Sequence, residues 1–216
     1  MENNQAPQNE TSSADEPNVV KFFEKQAFAT PIISYINQKH DEFKLEFIKL
    51  ADKMQSSGFD GDILQLEDEP AVKLLKEAIF SVCAELKEFG FDNRYPFIMG
   101  SNVIYQQRNE HIPAHSYEFV PLVLTYIVNE PEQVTPTTYY IDPRGGVQTL
   151  REKVSQNLVG TYFGINAHEG EIIATPGYLT RYTESNLDSQ TYLSINVMVG
   201  YTSGSATATS KNANAV

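Results

Sequence analysis

Between Glu110 and Glu118 the chain reads EHIPAHSYE, and this stretch holds His111 and His115, two of the four histidines, with Glu118 three residues further on. Two imidazoles and a carboxylate on one side of a divalent cation leave other coordination positions open, which is the arrangement that metal-assisted chemistry needs. His111, His115 and Glu118 are therefore the candidate metal ligands of this chain. The four-residue step between the histidines, interrupted by Pro113, does not match the alternation of a strand, so the three would have to converge on a loop. The competing reading is a pair of loop histidines in ordinary hydrogen bonds, or a pH-sensitive contact. Other chemistry is poorly supplied. The single cysteine, Cys83, falls in a helical pattern and reads as a small buried apolar residue. The run Arg144, Gly145, Gly146 is a turn signal and lacks the spacing of a phosphate-binding loop. The acidic residues at Glu67–Glu69 and at Glu169 and Glu171 read as a helix start and a turn.

The elements that must position these groups are bounded by composition. The 216 residues, 41% hydrophobic and 11% aromatic with no Trp, suit one domain with a sizeable core. A formal net charge of −12 argues against nucleic-acid binding through a basic surface and favours basic patches on protein partners. One cysteine excludes an intrachain disulfide framework. No apolar run reaches the roughly 20 residues of a membrane span. The first residues, MENNQAPQNETSSADEP, lack the basic and apolar regions of a signal peptide, so synthesis in the cytoplasm without secretion by a signal peptide is expected.

Residues 1–18 and 202–216 are polar and poor in apolar groups, and read as two arms around a domain at 19–201. Residues 22–37 are a β-prone opening. Phe43, Phe47, Leu50 and Met54 make the stripe of a helix at about 39–56, with Gly58 as its stop. A loop leads to a second helix over about 70–89, with Pro70 in its first turn and Gly90 past its end. From Tyr95 onward the pattern changes to short strands at about 97–107, 118–129, 137–141, 162–165, 171–175, 178–184 and 190–201. Two helices followed by about seven or eight antiparallel strands predict an α+β protein, a double-stranded β-helix or jelly roll with both helices packed on one face.

Several short motifs occur in a telling order: Phe28 to Pro31, Ser101 to Gln107, Tyr139 to Arg144, Pro176-x-Tyr178-Leu179, and Leu193 to Asn196. In that order the chain resembles the 2-oxoglutarate/Fe(II) oxygenases of phages and marine bacteria, over roughly residues 22–200. The resemblance implies a jelly roll with an iron site and a 2-oxoglutarate site. It also places Arg181 where the distal iron-binding His would fall, and Tyr192 where the 2-oxoglutarate-binding Arg would fall. Arginine cannot coordinate iron. A +2 and a +1 charge about 4 Å apart repel by roughly 8 kcal/mol at an effective dielectric of 20. His168 could substitute only under a different register.

The expectation that follows is an oxygenase fold with a degenerate iron site, no cofactor, and a non-catalytic structural or assembly role. A subunit of a tailed-phage virion, at the neck, tail or head, is one such role, with homo-oligomer or virion contacts made through the two arms. The alternative is an active or altered Fe(II)/2-oxoglutarate dioxygenase, with His111, His115 and Glu118 on iron and Arg144 or Tyr192 on the cosubstrate. Arg144 has a structural reading too, as a partner of Asp142. A third reading is a small-ligand binding module that keeps the pocket of the fold.

Overall fold

The computed structural model describes residues 19–27, 30–58, 61–86, 95–141 and 162–202. The chain opens with a hairpin, β1 (Val19–Ala27) and β2 (Thr30–Asn37), and continues into α1 (His40–Ser57). Phe43, Phe47, Leu50, Ala51 and Met54 form the buried stripe of α1, as the sequence period requires. Gly58 ends the helix in the left-handed region (φ 66°), its N–H satisfying the carbonyls of Met54 and Gln55. Asp62 caps a short 3₁₀ turn at Ile63–Gln65 by accepting from the Leu64 N–H. Then α2 (Pro70–Glu85) begins on a proline, whose missing N–H costs nothing in a first turn. It buries Val72, Leu75, Ile79 and Val82, with Leu86 completing the face beyond its end.

Eight strands follow: β3 (Tyr95–Gln106), β4 (Ile112–His115), β5 (Leu122–Asn129), β6 (Thr138–Ile141), β7 (Tyr162–Ile165), β8 (Glu171–Pro176), β9 (Arg181–Thr183) and β10 (Tyr192–Thr202). They form a six-stranded sheet in the order β1-β2-β8-β5-β10-β3 and a four-stranded sheet in the order β4-β9-β6-β7, with every pairing antiparallel. The predicted jelly roll with two helices on one face is the observed architecture. The described residues carry ten strands rather than seven or eight, because the β-prone opening folds back as a hairpin and Ile112–His115 pairs with β9. Glu118, predicted to start a strand, lies in the exposed turn ahead of β5.

The helices cover the outer face of the larger sheet through one core, where Phe43, Phe47 and Ile79 meet Tyr126, Ile172, Ile195 and Val197. A second, smaller core fills the space between the sheets and includes Ile32, Ile127, Tyr140, Ile173 and Tyr192. Strands β5, β8 and β10 are thus covered on both faces and lose the apolar-polar alternation of a half-buried strand. No helix among the described residues is long and apolar enough to cross a membrane. Both predicted arms lie outside the described residues, apart from Thr202, which closes β10.

Candidate functional site

Alternation along β5 and β10 divides their side chains between the two layers. Tyr126, Ile195 and Val197 point to the helices, whereas Thr125, Ile127, Ser194 and Asn196 point between the sheets. There they line a cavity of about 20 Å³, closed on the other side by His115, Tyr140, Arg181 and Thr183 of the smaller sheet. Such a space holds about one or two waters. Strand register accounts for the grouping: Arg181 on β9 lies between His115 on β4 and Tyr140 on β6. Across the cavity, Thr125 and Asn196 are direct partners in the β5–β10 ladder.

Arg181 dominates the site. It is 4% exposed, and its Nη1 donates to Thr125 Oγ1 at 3.0 Å and to Thr175 Oγ1 at 3.4 Å. Its Cζ sits 5.2 Å from the centroid of the Tyr117 ring, within cation–π range. The contacts close into a ring. Thr125 donates its own proton to Asn196 Oδ1 at 2.7 Å, and Asn196 Nδ2 donates to the Tyr117 hydroxyl at 3.2 Å. The Arg181 Nε–H is buried without a hydrogen-bond partner among the described residues.

Tyr117 reaches this place because Gly177 lets two backbones meet. The Tyr117 N–H donates to the Gly177 carbonyl at 2.8 Å, and a Cβ on Gly177 would stand 2.7 Å from the Tyr117 carbonyl oxygen and closer still to that of Val120. The unspecified position in the Pro176-x-Tyr178-Leu179 frame is therefore a packing requirement.

The sequence candidates divide sharply in space. Arg181 and Tyr192 both line the cavity, although eleven residues separate them. Burial raises the Tyr192 phenol above its ordinary range, with Tyr140, Glu130 and Glu171 adding to the rise. Burial likewise raises the Tyr140 phenol, against the opposing pull of the Arg181 cation. His115 lines the cavity too, its Nδ1 placed 2.9 Å from the Pro113 carbonyl. Burial lowers its pKa, the Pro113 bond opposes, and Arg181 lowers it further. His111 and Glu118 are exposed and off the cavity. Among the described residues no three His, Cys, Asp or Glu side chains are grouped to hold a metal ion. His168 sits outside the cavity, 3.0 Å from Glu130 Oε2. Arg144 and Asp142 lie outside the described residues. Thr125, Asn196, Tyr117 and Tyr140 are not among the site residues expected from the sequence. The signal for two of them was available: Thr125 and Asn196 are polar interruptions in otherwise apolar strands.

No known family matches the chain in sequence, and no curated protein does. Solved structures do match in shape. The non-heme α-ketoglutarate-dependent carbocyclase SnoK from nogalamycin biosynthesis aligns with a TM-score of 0.57 at 8% identity, over 78% of this chain and 78% of its own. AviO1 from Streptomyces viridochromogenes aligns at 0.54 and 11% identity, over 85% and 89%. HygX from Streptomyces hygroscopicus with iron bound aligns at 0.53 and 12% identity, over 79% and 82%. The chain thus has the fold of the 2-oxoglutarate/Fe(II) oxygenases. The expectation of no cofactor is corrected by this comparison, since HygX has been solved both with iron and with nickel and 2-oxoglutarate. That expectation counted side-chain types strand by strand, and such a count says nothing about the cavity that the two sheets enclose.

The two groups fit the described residues unequally. For iron, His115 is the one cavity-lining side chain of the usual ligand types, and a buried guanidinium stands beside it. A triad of two His and a carboxylate is not assembled from the described residues. A carboxylate such as those of 2-oxoglutarate meets a better-suited surface: a cation, hydroxyls and an apolar wall of Ile104, Ile127 and Ile173.

Proposed function

We propose that the cavity between the sheets is a small-molecule binding site, and that the chain works by holding an organic ligand there. The observation that carries this reading is the polar lining of an interior that packing alone would fill with apolar groups. Thr125, Thr175, Arg181, Ser194 and Asn196 all turn inward within the second core. Burying such groups costs free energy, and convergent polar groups on an apolar wall are the usual make-up of a ligand site.

A second reading is an Fe(II)/2-oxoglutarate-dependent dioxygenase with an altered metal site. It is favoured by His115 on the cavity wall and by the ligands bound to HygX on the same fold. The group would supply oxygen activation when bound; His115 is the described residue placed to hold it, with Arg181 and Tyr192 beside the cosubstrate. The assembly role drawn from the arms has no support in the fold comparison, and the arms lie outside the described residues.

The test is to add candidate ligands to the full chain and follow the methyl resonances of Ile127 and Ile173, which line the cavity. Saturable shifts of both are expected. If no ligand moves them, the cavity is not the working site. Anaerobic Fe(II) with 2-oxoglutarate decides the second reading: a metal-to-ligand charge-transfer band with succinate formed on adding oxygen establishes it, and absence of both removes it.

A further inference from the structure

We propose that the ligand enters as a carboxylate and that Arg181, buried on the cavity wall, is its receptor. The proposal rests on the reading of the cavity as a binding site and names the chemistry of what it takes.

The argument starts from a charge without a counter-charge. Arg181 is permanently cationic and 4% exposed. The groups that meet it are neutral: the hydroxyls of Thr125 and Thr175, the Tyr140 phenol, and the ring of Tyr117 beneath. The ion pairs among the described residues join His40 and Lys44 to Glu169, Lys76 to Glu67, and His168 to Glu130; none includes Arg181. The buried Nε–H has no acceptor among the described residues. A cation taken out of water is costly until an anion and good hydrogen bonds offset the lost hydration. The chain carries a net charge of −12, yet it leaves this inward-facing cation with no described carboxylate in contact.

Shape and size narrow the anion. Guanidinium is a planar fork that matches the two oxygens of a carboxylate. The cavity, at about 20 Å³ beside the guanidinium, has room for a group the size of one or two waters. Ile104, Ile127 and Ile173 form an apolar wall suited to the carbon chain behind such a head group. A carboxylate head group fits this space, with its carbon chain leaving along that wall, whereas a bulkier head group does not. The same head group could come from a free monocarboxylate or from one end of a dicarboxylate, and the probes separate the two.

The full chain is titrated with sodium acetate, succinate and 2-oxoglutarate, each against sodium chloride at matched ionic strength. Thermal stability and the Ile127 and Ile173 methyl resonances are read together. The expected result is saturable stabilisation and methyl shifts with carboxylates beyond those of chloride. Tighter binding of the dicarboxylates than of acetate would identify the second end as part of the ligand, and equal binding would assign a monocarboxylate. Arg181→Gln is expected to weaken binding about 10- to 100-fold, the range of lost charge-assisted hydrogen bonds. Should Arg181→Gln not fold, Arg181→Lys keeps the charge, loses the fork, and is expected to lose the preference for carboxylate over chloride. Equal effects of carboxylates and chloride overturn the proposal, as does undiminished binding in the folded variants. Methyl shifts from neutral ligands alone defeat the carboxylate but leave the cavity reading standing; no shifts from any ligand defeat both.

Discussion

The Thr125 hydroxyl lies 3.0 Å from Arg181 Nη1 and 2.7 Å from Asn196 Oδ1, accepting from the first and donating to the second. One small side chain on a central strand thus ties the buried cation of one sheet to the amide of a neighbouring strand in the other. Thr125→Val keeps the shape and removes both bonds. The expected cost is about 1–3 kcal/mol, because two buried polar partners lose a hydrogen bond at once. Urea denaturation measures it. An Asn196→Leu change made in the same background should cost less than in the parent chain, since the two share one network.

Gly177 carries a packing load that its lack of a side chain permits. A Cβ there would stand 2.7 Å from the Tyr117 carbonyl oxygen, with backbone rather than a flexible side chain in the way. Gly177→Ala is expected to destabilise by about 1–3 kcal/mol or more and to pull Tyr117 from Arg181. Gly58→Ala makes the contrast: nothing lies within 4 Å of its added Cβ, so only the left-handed backbone (φ 66°) is penalised. Its cost should be about 1–2 kcal/mol, with the cavity undisturbed. Thermal melts give both values, and the Ile127 methyl resonance reports on the cavity.

Glu171 is buried at the start of β8, where its Oε2 accepts from Ser34 Oγ at 3.1 Å. Burial raises its carboxyl above the ordinary 4.5; the Ser34 bond and His168 pull the other way, and Glu130 adds to the rise. The folded state therefore holds the proton more tightly than the unfolded state. Its contribution to stability is full below 4.5 and is lost as pH rises through the folded value. Glu171→Gln keeps a partner for Ser34 without the charge. That variant should be more stable than the parent at neutral pH, with the difference shrinking as pH falls toward 4.5. Denaturation midpoints across that window provide the check.

His40 behaves with the opposite sign. It is buried at the first turn of α1, its Nδ1 2.6 Å from the Tyr126 hydroxyl and its Nε2 3.6 Å from Glu169 Oε1. Burial lowers its pKa from 6.5, with Lys44 also lowering it and Glu169 and Asp41 opposing. The unfolded chain takes up a proton first, so the stabilising contribution is full above 6.5 and declines as pH falls through the folded value. His40→Gln should flatten that decline in stability measured on either side of 6.5.

The sequence by itself determined the elements whose signals are local. The apolar stripe of α1, the proline that opens α2 and the runs of β10 each depend on neighbours in the chain, so periodicity and turn chemistry located them. The order of short motifs likewise carried the jelly roll. Tertiary structure alone decided which side chains share the interior between the sheets. Thr125 meets Arg181 across 56 residues and Tyr117 meets Asn196 across 79, distances over which residue type and spacing carry no register. It separated His115 from His111 and Glu118, because His111 lies exposed ahead of β4 and Glu118 lies in the exposed turn ahead of β5. It also turned an argument about a missing ligand into one about an unmatched charge. Residue type told only that Arg181 cannot bind iron; burial and the neutral partners around it are properties of the assembled sheets, and they set what the position can bind instead.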